Sequence, residues 1–220
     1  MAMNDYLIFG ATGLTGKNFL KYVKEEGRSY HLYVRNLIES EEEKNQTIFS
    51  QDNIPELPVS HNLVICLGYP LAFKDLVYMN EKIKKEFTKV DMDLVIRIAR
   101  EAKSKGIQNI SIISAVGSKE NSINFYLNIK AQMENEILKL GFNKTIFAKP
   151  GHLIGPRDSS RIDIWVRLIE FFGKINGIFL IGPLKKYKNI EASKVAFEML
   201  SMINKKNPRS NYLIEVHENI

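Results

Sequence analysis

With 220 residues, 45% of them hydrophobic and 25% charged, the chain is long enough for one sizeable core and too apolar for disorder. A lone cysteine, Cys66, excludes an intrachain disulfide framework and a cysteine-based metal site. The net charge of +6 comes from lysines scattered beside acids, as in "EEEKNQ" and "NEKIKKEF", which describes a solvated surface and not a nucleic-acid groove.

The opening "MAMNDYLIF" lacks the basic and apolar regions of a secretory signal. Residues 162–182, "IDIWVRLIEFFGKINGIFLIG", are the most apolar stretch, but Arg167, Glu170 and Lys174 interrupt them, so no membrane span is expected. These features predict a soluble, cytoplasmic chain with no nucleic-acid partner, no membrane and no bound metal.

In chain order, "YLIF" (6–9) is an apolar strand, "GATGLTG" (10–16) a tight loop, and "KNFLKYV" (17–23) the start of a helix. Further strands are expected at "HLYV" (31–34), "TIF" (47–49) and "LVICL" (63–67). Val90, Leu94, Val95, Ile98, Ala99 and Ala102 then share one helix face, which ends at Gly106. "NISIIS" (109–114) is the fifth strand, and Phe125, Ile129, Met133, Ile137 and Leu140 mark a helix ending at Gly141. "TIFAK" (145–149) is the sixth. Ala192, Val195, Ala196, Met199, Leu200 and Ile203 form a last helix face before "NYLIEV" (211–216). Strands that are apolar throughout are buried on both faces. The alternation predicts an α/β fold: a doubly wound parallel sheet with helices on both faces. Residues 1–150 form the nucleotide-binding part. Residues 151–220 form a small substrate-side cap, too short for a core of its own and packed on the rest.

The loop between the first strand and helix has the spacing of a phosphate cradle. Gly10 turns the chain, Gly13 lets a phosphate reach the main chain, and Gly16 lets helix and strand close up. The N–H groups from Leu14 onward point at a pyrophosphate, and Thr12 and Thr15 add hydroxyl donors. The spacing is G-x-x-G-x-x-G and not the G-x-G-x-x-G fingerprint, so the strand–loop–helix context carries the assignment. The second strand runs into Arg35, nineteen residues after Gly16, with no acid until Glu39. A guanidinium there suits a 2′-phosphate, so NADP(H) is expected over NAD(H).

Ser114 ends the fifth strand at the carboxyl edge of the sheet, and Tyr126 and Lys130 lie on one helix face at i and i+4. An ammonium beside a phenol favours the phenolate, so Lys130 is expected to lower the ordinary tyrosine value of about 10. Tyr126 would exchange a proton with a carbonyl or alcohol, while Ser114 would hydrogen-bond the substrate oxygen. A second Y-x-x-x-K, Tyr78 and Lys82, has no serine-bearing strand end upstream and reads as an exposed helix pair.

"GATGLTG", Arg35, "CLG", Ser114 and "YLNIK" together resemble the short-chain dehydrogenase/reductase superfamily in its extended or atypical branch. Residues 87–161 narrow the resemblance to the Tat-interacting-protein-type oxidoreductases, a group of small NADPH-binding proteins. The resemblance implies a Rossmann sheet ordered 3-2-1-4-5-6 with an extra late strand. It implies Ser114, Tyr126 and Lys130 as the catalytic set, with Lys130 also holding the nicotinamide ribose. Leu67 and Gly68 would face the cofactor, and Pro150 and Gly151 would lie beside the nicotinamide. The adenine-side acid has no clear position, Asp52 being a weak choice, and Ser118 competes weakly with Ser114. A fourth catalytic asparagine is not identifiable.

Arg157, Asp158 and Arg161 lie where substrate could pass. His152 reads as a packing residue. Trp165, Phe171, Phe172 and Phe179 suit a core, a pocket or a dimer face. The expectation is an NADP(H)-dependent oxidoreductase acting on a small carbonyl or alcohol, as a homodimer or with a protein partner. Two rivals stay open: an NADPH-binding regulatory or scaffold protein, and a sugar-nucleotide epimerase-like enzyme.

Overall fold

A computed structural model of the protein describes residues 3–72, 75, 78–155 and 189–219. Strand β1 (Asn4–Phe9) leads into helix α1 (Leu14–Glu25), followed by β2 (Tyr30–Val34), β3 (Gln46–Ile48) and β4 (Ser60–Ile65). Helix α2 (Glu81–Thr88) passes through a π-helical stretch, Lys89–Leu94, into α3 (Val95–Ser104). Next come β5 (Asn109–Ile113), α4 (Phe125–Lys139), β6 (Lys144–Ala148) and the short β7 (Leu153–Ile154). β8 (Ile190–Glu191), α5 (Ala192–Asn204) and β9 (Ile214–Glu218) complete the described chain.

One seven-stranded sheet runs in the order β3-β2-β1-β4-β5-β6-β9. Its first six strands are parallel, and β9 pairs antiparallel with β6. β7 and β8 form a separate parallel pair. This is the expected Rossmann order with a late strand at the edge.

Alternation along β1 explains the two layers of helices. Leu7 and Phe9 point to a core shared with Leu94, Val95, Ile98, Ala99 and Met133 of the α3–α4 side. Tyr6 and Ile8 point to the other face, against Phe19 and Val23 of α1 and Val195, Ala196 and Met199 of α5. Both faces are buried, so the central strands are apolar along most of their length, as in Tyr6–Phe9 and Leu63–Ile65.

Most strand boundaries shift by one or two residues from the sequence reading, and two strand starts shift by three. β4 starts at Ser60, because its polar leading residues bond to β1: Ser60 Oγ donates to Asn4 O and Asn62 Nδ2 to Asp5 O. The last strand starts at Ile214 and not at 211, since the Asn211 side chain accepts from the N–H groups of Leu213 and Ile214 and makes a turn.

About half of the expected cap, residues 156–188, lies outside the described residues, including Arg157, Asp158, Arg161, Trp165, Phe171, Phe172 and Phe179. The described tail is built into the sheet layers: α5 packs beside α1, and β9 extends the sheet.

Two contacts position the site. Gly10 has φ +84°, and a Cβ on it would lie 2.5 Å from the Cys66 carbonyl oxygen; one on Gly16 would lie 2.0 Å from the Gly10 carbonyl oxygen. The second contact anchors β6, whose following residue Lys149 lies between Glu134 of α4 and Glu215 of β9. Gly16→Ala should therefore cost roughly 3 kcal/mol of stability, read as a lower urea midpoint; an unchanged midpoint would contradict the close approach. Glu134→Ala should cost a comparable, roughly 3 kcal/mol by leaving Lys149 partly uncompensated, and a loss below about 0.5 kcal/mol would show the clamp to be inert.

Candidate functional site

The carboxyl edge of the sheet gathers the residues singled out in the sequence. α1 begins at Gly13, with no side chain capping it and no acid in its first turn. The first helical bond runs from Lys17 N–H to Gly13 O, which leaves the N–H groups of Leu14, Thr15 and Gly16 without helical acceptors. Thr12 is exposed at the loop, Thr15 is buried, and the Gly13 N–H closes the turn on Gly10 O at 3.0 Å. An uncapped, acid-free helix start on bare backbone fits an anionic diphosphate.

The neighbouring pieces follow from direct contacts. Gly10 abuts the end of β4, with Leu67 N 3.0 Å from its would-be Cβ, so the Leu67–Gly68 backbone lies beside the glycine loop. Gly68 in turn faces Asp91, 3.8 Å from its own would-be Cβ. On the far side, Ser114 N–H donates to Ala148 O at 2.7 Å and Val116 N–H to Pro150 O at 3.1 Å, which lays the loop after β5 along Pro150 and Gly151. Gly155 returns to touch Leu14 at the start of α1. Arg35 stands exposed one residue past β2 and pairs with no acid among the described residues.

Helix α4 supplies the chemistry. Its N-terminus is capped by Asn124, whose side chain accepts from Leu127 N–H at 3.1 Å. One face then carries Tyr126, Lys130 and Glu134, a turn apart. The Tyr126 ring packs 5.3 Å from Phe87, and its hydroxyl makes no hydrogen bond among the described residues. Lys130 is buried, with its Nζ 2.7 Å from Asp91 Oδ1 and 3.4 Å from Ile113 O. Asp91 Oδ2 accepts the Tyr69 N–H at 2.6 Å. Burial opposes the Lys130 ammonium, but the charge and hydrogen bond of Asp91, together with Tyr126 and Glu134, outweigh it, so its titration is raised.

Two expected roles need correction. Lys130 does favour the Tyr126 phenolate, yet burial of the ring and the Asp91 carboxylate outweigh it, so the Tyr126 value is raised from 10.0 and not lowered. The physical reason is first the burial of the phenol, which disfavours its charged form, and then the Asp91 carboxylate, which offsets part of the Lys130 charge. Ser114, for its part, is not free to donate to a substrate oxygen. Its hydroxyl donates to Glu134 Oε1, which also accepts from Ser118 at 2.8 Å, while Lys149 holds Oε2 at 2.9 Å. No hydrogen bond joins Ser114 to Tyr126.

Asp91 and Glu134 went unrecognised in the sequence, although a signal was present. Asp91 falls on the stripe of Leu94, Val95 and Ile98, and Glu134 beside Met133 and Ile137. An acid on an apolar helix face needs a buried cation, and Lys130 and Lys149 are those cations. The second Y-x-x-x-K separates: Tyr78 is 77% exposed and precedes α2, while Lys82 lies on it. Asp52 offers only its backbone carbonyl, to Arg97. Among the described residues no cluster of three His, Cys, Asp or Glu side chains could hold a metal, and no helix is long and apolar enough to cross a membrane.

No protein-family model matches the chain. "Protein FMP52, mitochondrial" from Kluyveromyces lactis is 31% identical over 187 residues, covering 81% of this chain and 79% of that protein. The Eremothecium gossypii protein of the same name is 30% identical, covering 77% and 75%. "Protein HTATIP2" of Rattus norvegicus is 28% identical over 182 residues, covering 80% of this chain and 73% of its own. Among solved structures, MoeE5 in complex with UDP-glucose and NAD superposes with a TM-score of 0.66 at 12% identity, over 91% of this chain and 72% of its own. The human epimerase family protein SDR39U1 with NADPH gives 0.61 at 13%, over 91% and 70%. These structures share the fold.

The relatives' names overturn the expected cytoplasmic location and point to the mitochondrion. A missing secretory pattern bears on secretion alone and is silent on a mitochondrial address. With sheet order, glycine loop and relatives in agreement, the chain belongs to the FMP52 family and has the fold of solved short-chain dehydrogenase/reductase proteins.

Proposed function

We propose that the protein is an NADP(H)-dependent oxidoreductase that moves a hydride between the nicotinamide and a small carbonyl or alcohol, with Tyr126 moving the proton. The observation that carries this reading is the Tyr126 hydroxyl, without a hydrogen-bond partner among the described residues, on the same helix face as a buried, charged Lys130, at the sheet edge where the uncapped start of α1 lies. Leu14, Thr15 and Gly16 N–H groups would hold the diphosphate, with Thr12, Leu67 and Gly68 alongside. Arg35 would take the 2′-phosphate through charge-assisted hydrogen bonds. Pro150 and Gly151 would border the nicotinamide. When bound, the cofactor supplies the hydride.

The chain's own residues do the rest. Tyr126 Oη exchanges a proton with the substrate oxygen. Lys130 has two of its three N–H donors engaged by Asp91 and Ile113, which leaves one for a ribose hydroxyl. Ser114, held by Glu134, presents its lone pairs to the site. A second reading, an NADPH-binding regulatory protein with little turnover, draws on that engagement, because a hydroxyl donating to Glu134 does not stabilise a developing oxyanion. A homodimer or protein partner fits either reading.

Tyr126→Phe should lower NADPH oxidation with a carbonyl panel at least about a hundredfold while NADPH affinity, followed by nicotinamide fluorescence, stays within a few-fold. An NADPH complex inert to every carbonyl would favour the regulatory reading. Arg35→Ala should weaken NADPH binding about tenfold or more and leave NADH binding nearly unchanged. An unaltered NADPH-to-NADH ratio would refute the cofactor preference.

A further inference from the structure

We propose that Asp91 is a positioning residue that sets the working form of Tyr126: by compensating Lys130 it keeps the phenol protonated at neutral pH, so the site reduces carbonyls in preference to oxidising alcohols. This rests on the oxidoreductase reading and gives it a direction.

Geometry carries the argument. The side chains of Lys130 and Asp91 are 5% and 4% exposed, and their charged atoms are 2.7 Å apart. A pair at that distance with little water around it acts on a third group as a dipole, whose field dies away faster than that of a lone ammonium. Asp91 cannot swing aside, because its second oxygen is held by the Tyr69 N–H at 2.6 Å. Its backbone belongs to the π-helical stretch between α2 and α3, a widened turn of the kind often found at functional sites.

Among the described residues, the surroundings of Tyr126 add no other compensating cation. From its own helix come Lys130 and, two turns on, Glu134, which is taken up by Ser114, Ser118 and Lys149. The π-helical stretch contributes Asp91 and α2 the Phe87 ring. The loop after β4 contributes Tyr69, and Met79 and Ile129 complete the apolar wall. Burial therefore favours the neutral phenol and the ion pair opposes it weakly, consistent with the raised titration.

A neutral phenol is a proton donor. In the reducing direction the carbonyl carbon takes the hydride and its two electrons from NADPH, leaving NADP⁺. The carbon–oxygen π pair takes the proton as the Tyr126 O–H bond breaks, and solvent returns a proton to the phenolate. The oxidising direction requires Tyr126 to lose its proton before it can accept one from the alcohol.

The test is the ionisation of Tyr126 itself, followed by NMR in the full-length protein carrying [13Cζ]tyrosine and assigned with Tyr126→Phe. In the wild type the resonance should keep its phenol position from about pH 6 to about pH 10. Asp91→Asn should bring the phenolate into that window, with ionisation favoured at least about tenfold. Lys130→Met should keep the phenol throughout, and the shift caused by Asp91→Asn should vanish in the Asp91→Asn, Lys130→Met double variant. That pattern of opposed and cancelling effects is not expected of a merely structural role.

The proposal is overturned if Asp91→Asn titrates like wild type. It is also overturned, even if that variant fails to fold, when wild-type Tyr126 ionises near neutral pH. Phenanthrenequinone as hydride acceptor and a panel of alcohols with NADP⁺ test direction, and faster alcohol oxidation counts against it. A bound NADPH that reduces no carbonyl would sink the oxidoreductase reading while leaving the protonation result standing.

Discussion

At helix α4 the buried Asp91, Lys130 and Glu134 and the partly buried Lys149 lie against apolar neighbours, and the site depends on their mutual compensation. Lys130 meets Asp91, and Lys149 meets Glu134 and Glu215. An isolated charge in such surroundings costs several kcal/mol, so none of the four could be kept without its partner. The same pairs join five elements. The first ties α4 to the π-helical stretch and, through Ile113, to the end of β5. The second ties α4 to the ends of β6 and β9. The serine-bearing loop is drawn into the second pair, because Glu134 is the acceptor for Ser114 and Ser118.

The division between the two pairs has a chemical meaning. Tyr126 lies one turn from the compensated lysine and feels a weakened field, whereas Ser114 lies at the level of the Glu134 carboxylate and donates to it. Tyrosine and serine are thus held by different partners and are not hydrogen-bonded to each other. A site arranged this way restrains the Ser114 hydroxyl and, among the described residues, leaves that of Tyr126 without a hydrogen-bond partner.

On the cofactor side the constraint is space. The Gly10 carbonyl occupies the room that a side chain at Gly16 would need, and the end of β4 occupies the room beside Gly10. The start of α1 is thereby pressed against the tips of β1 and β4 with its amide groups uncapped. The FMP52 relatives at 30% and 31% identity cover most of this chain. The solved neighbours, at far lower identity, share its fold with proteins described with NAD or NADPH.

The order of strands and helices, the parallel sheet and the glycine loop were legible in the residues, because each is encoded locally. Apolar runs of period two bounded by polar turns make strands, and stripes of period 3.6 make helices. Tyr126, Lys130 and Glu134 fall on one face by spacing alone. What spacing does not encode is which buried charge meets which, since Asp91 and Lys130 are thirty-nine residues apart and Lys149 and Glu215 sixty-six. Only packing of the helices on the sheet decided that Lys130 would be neutralised by Asp91 and that Ser114 would donate to Glu134. An electrostatic effect depends on distance and burial, and the tertiary structure alone supplies both.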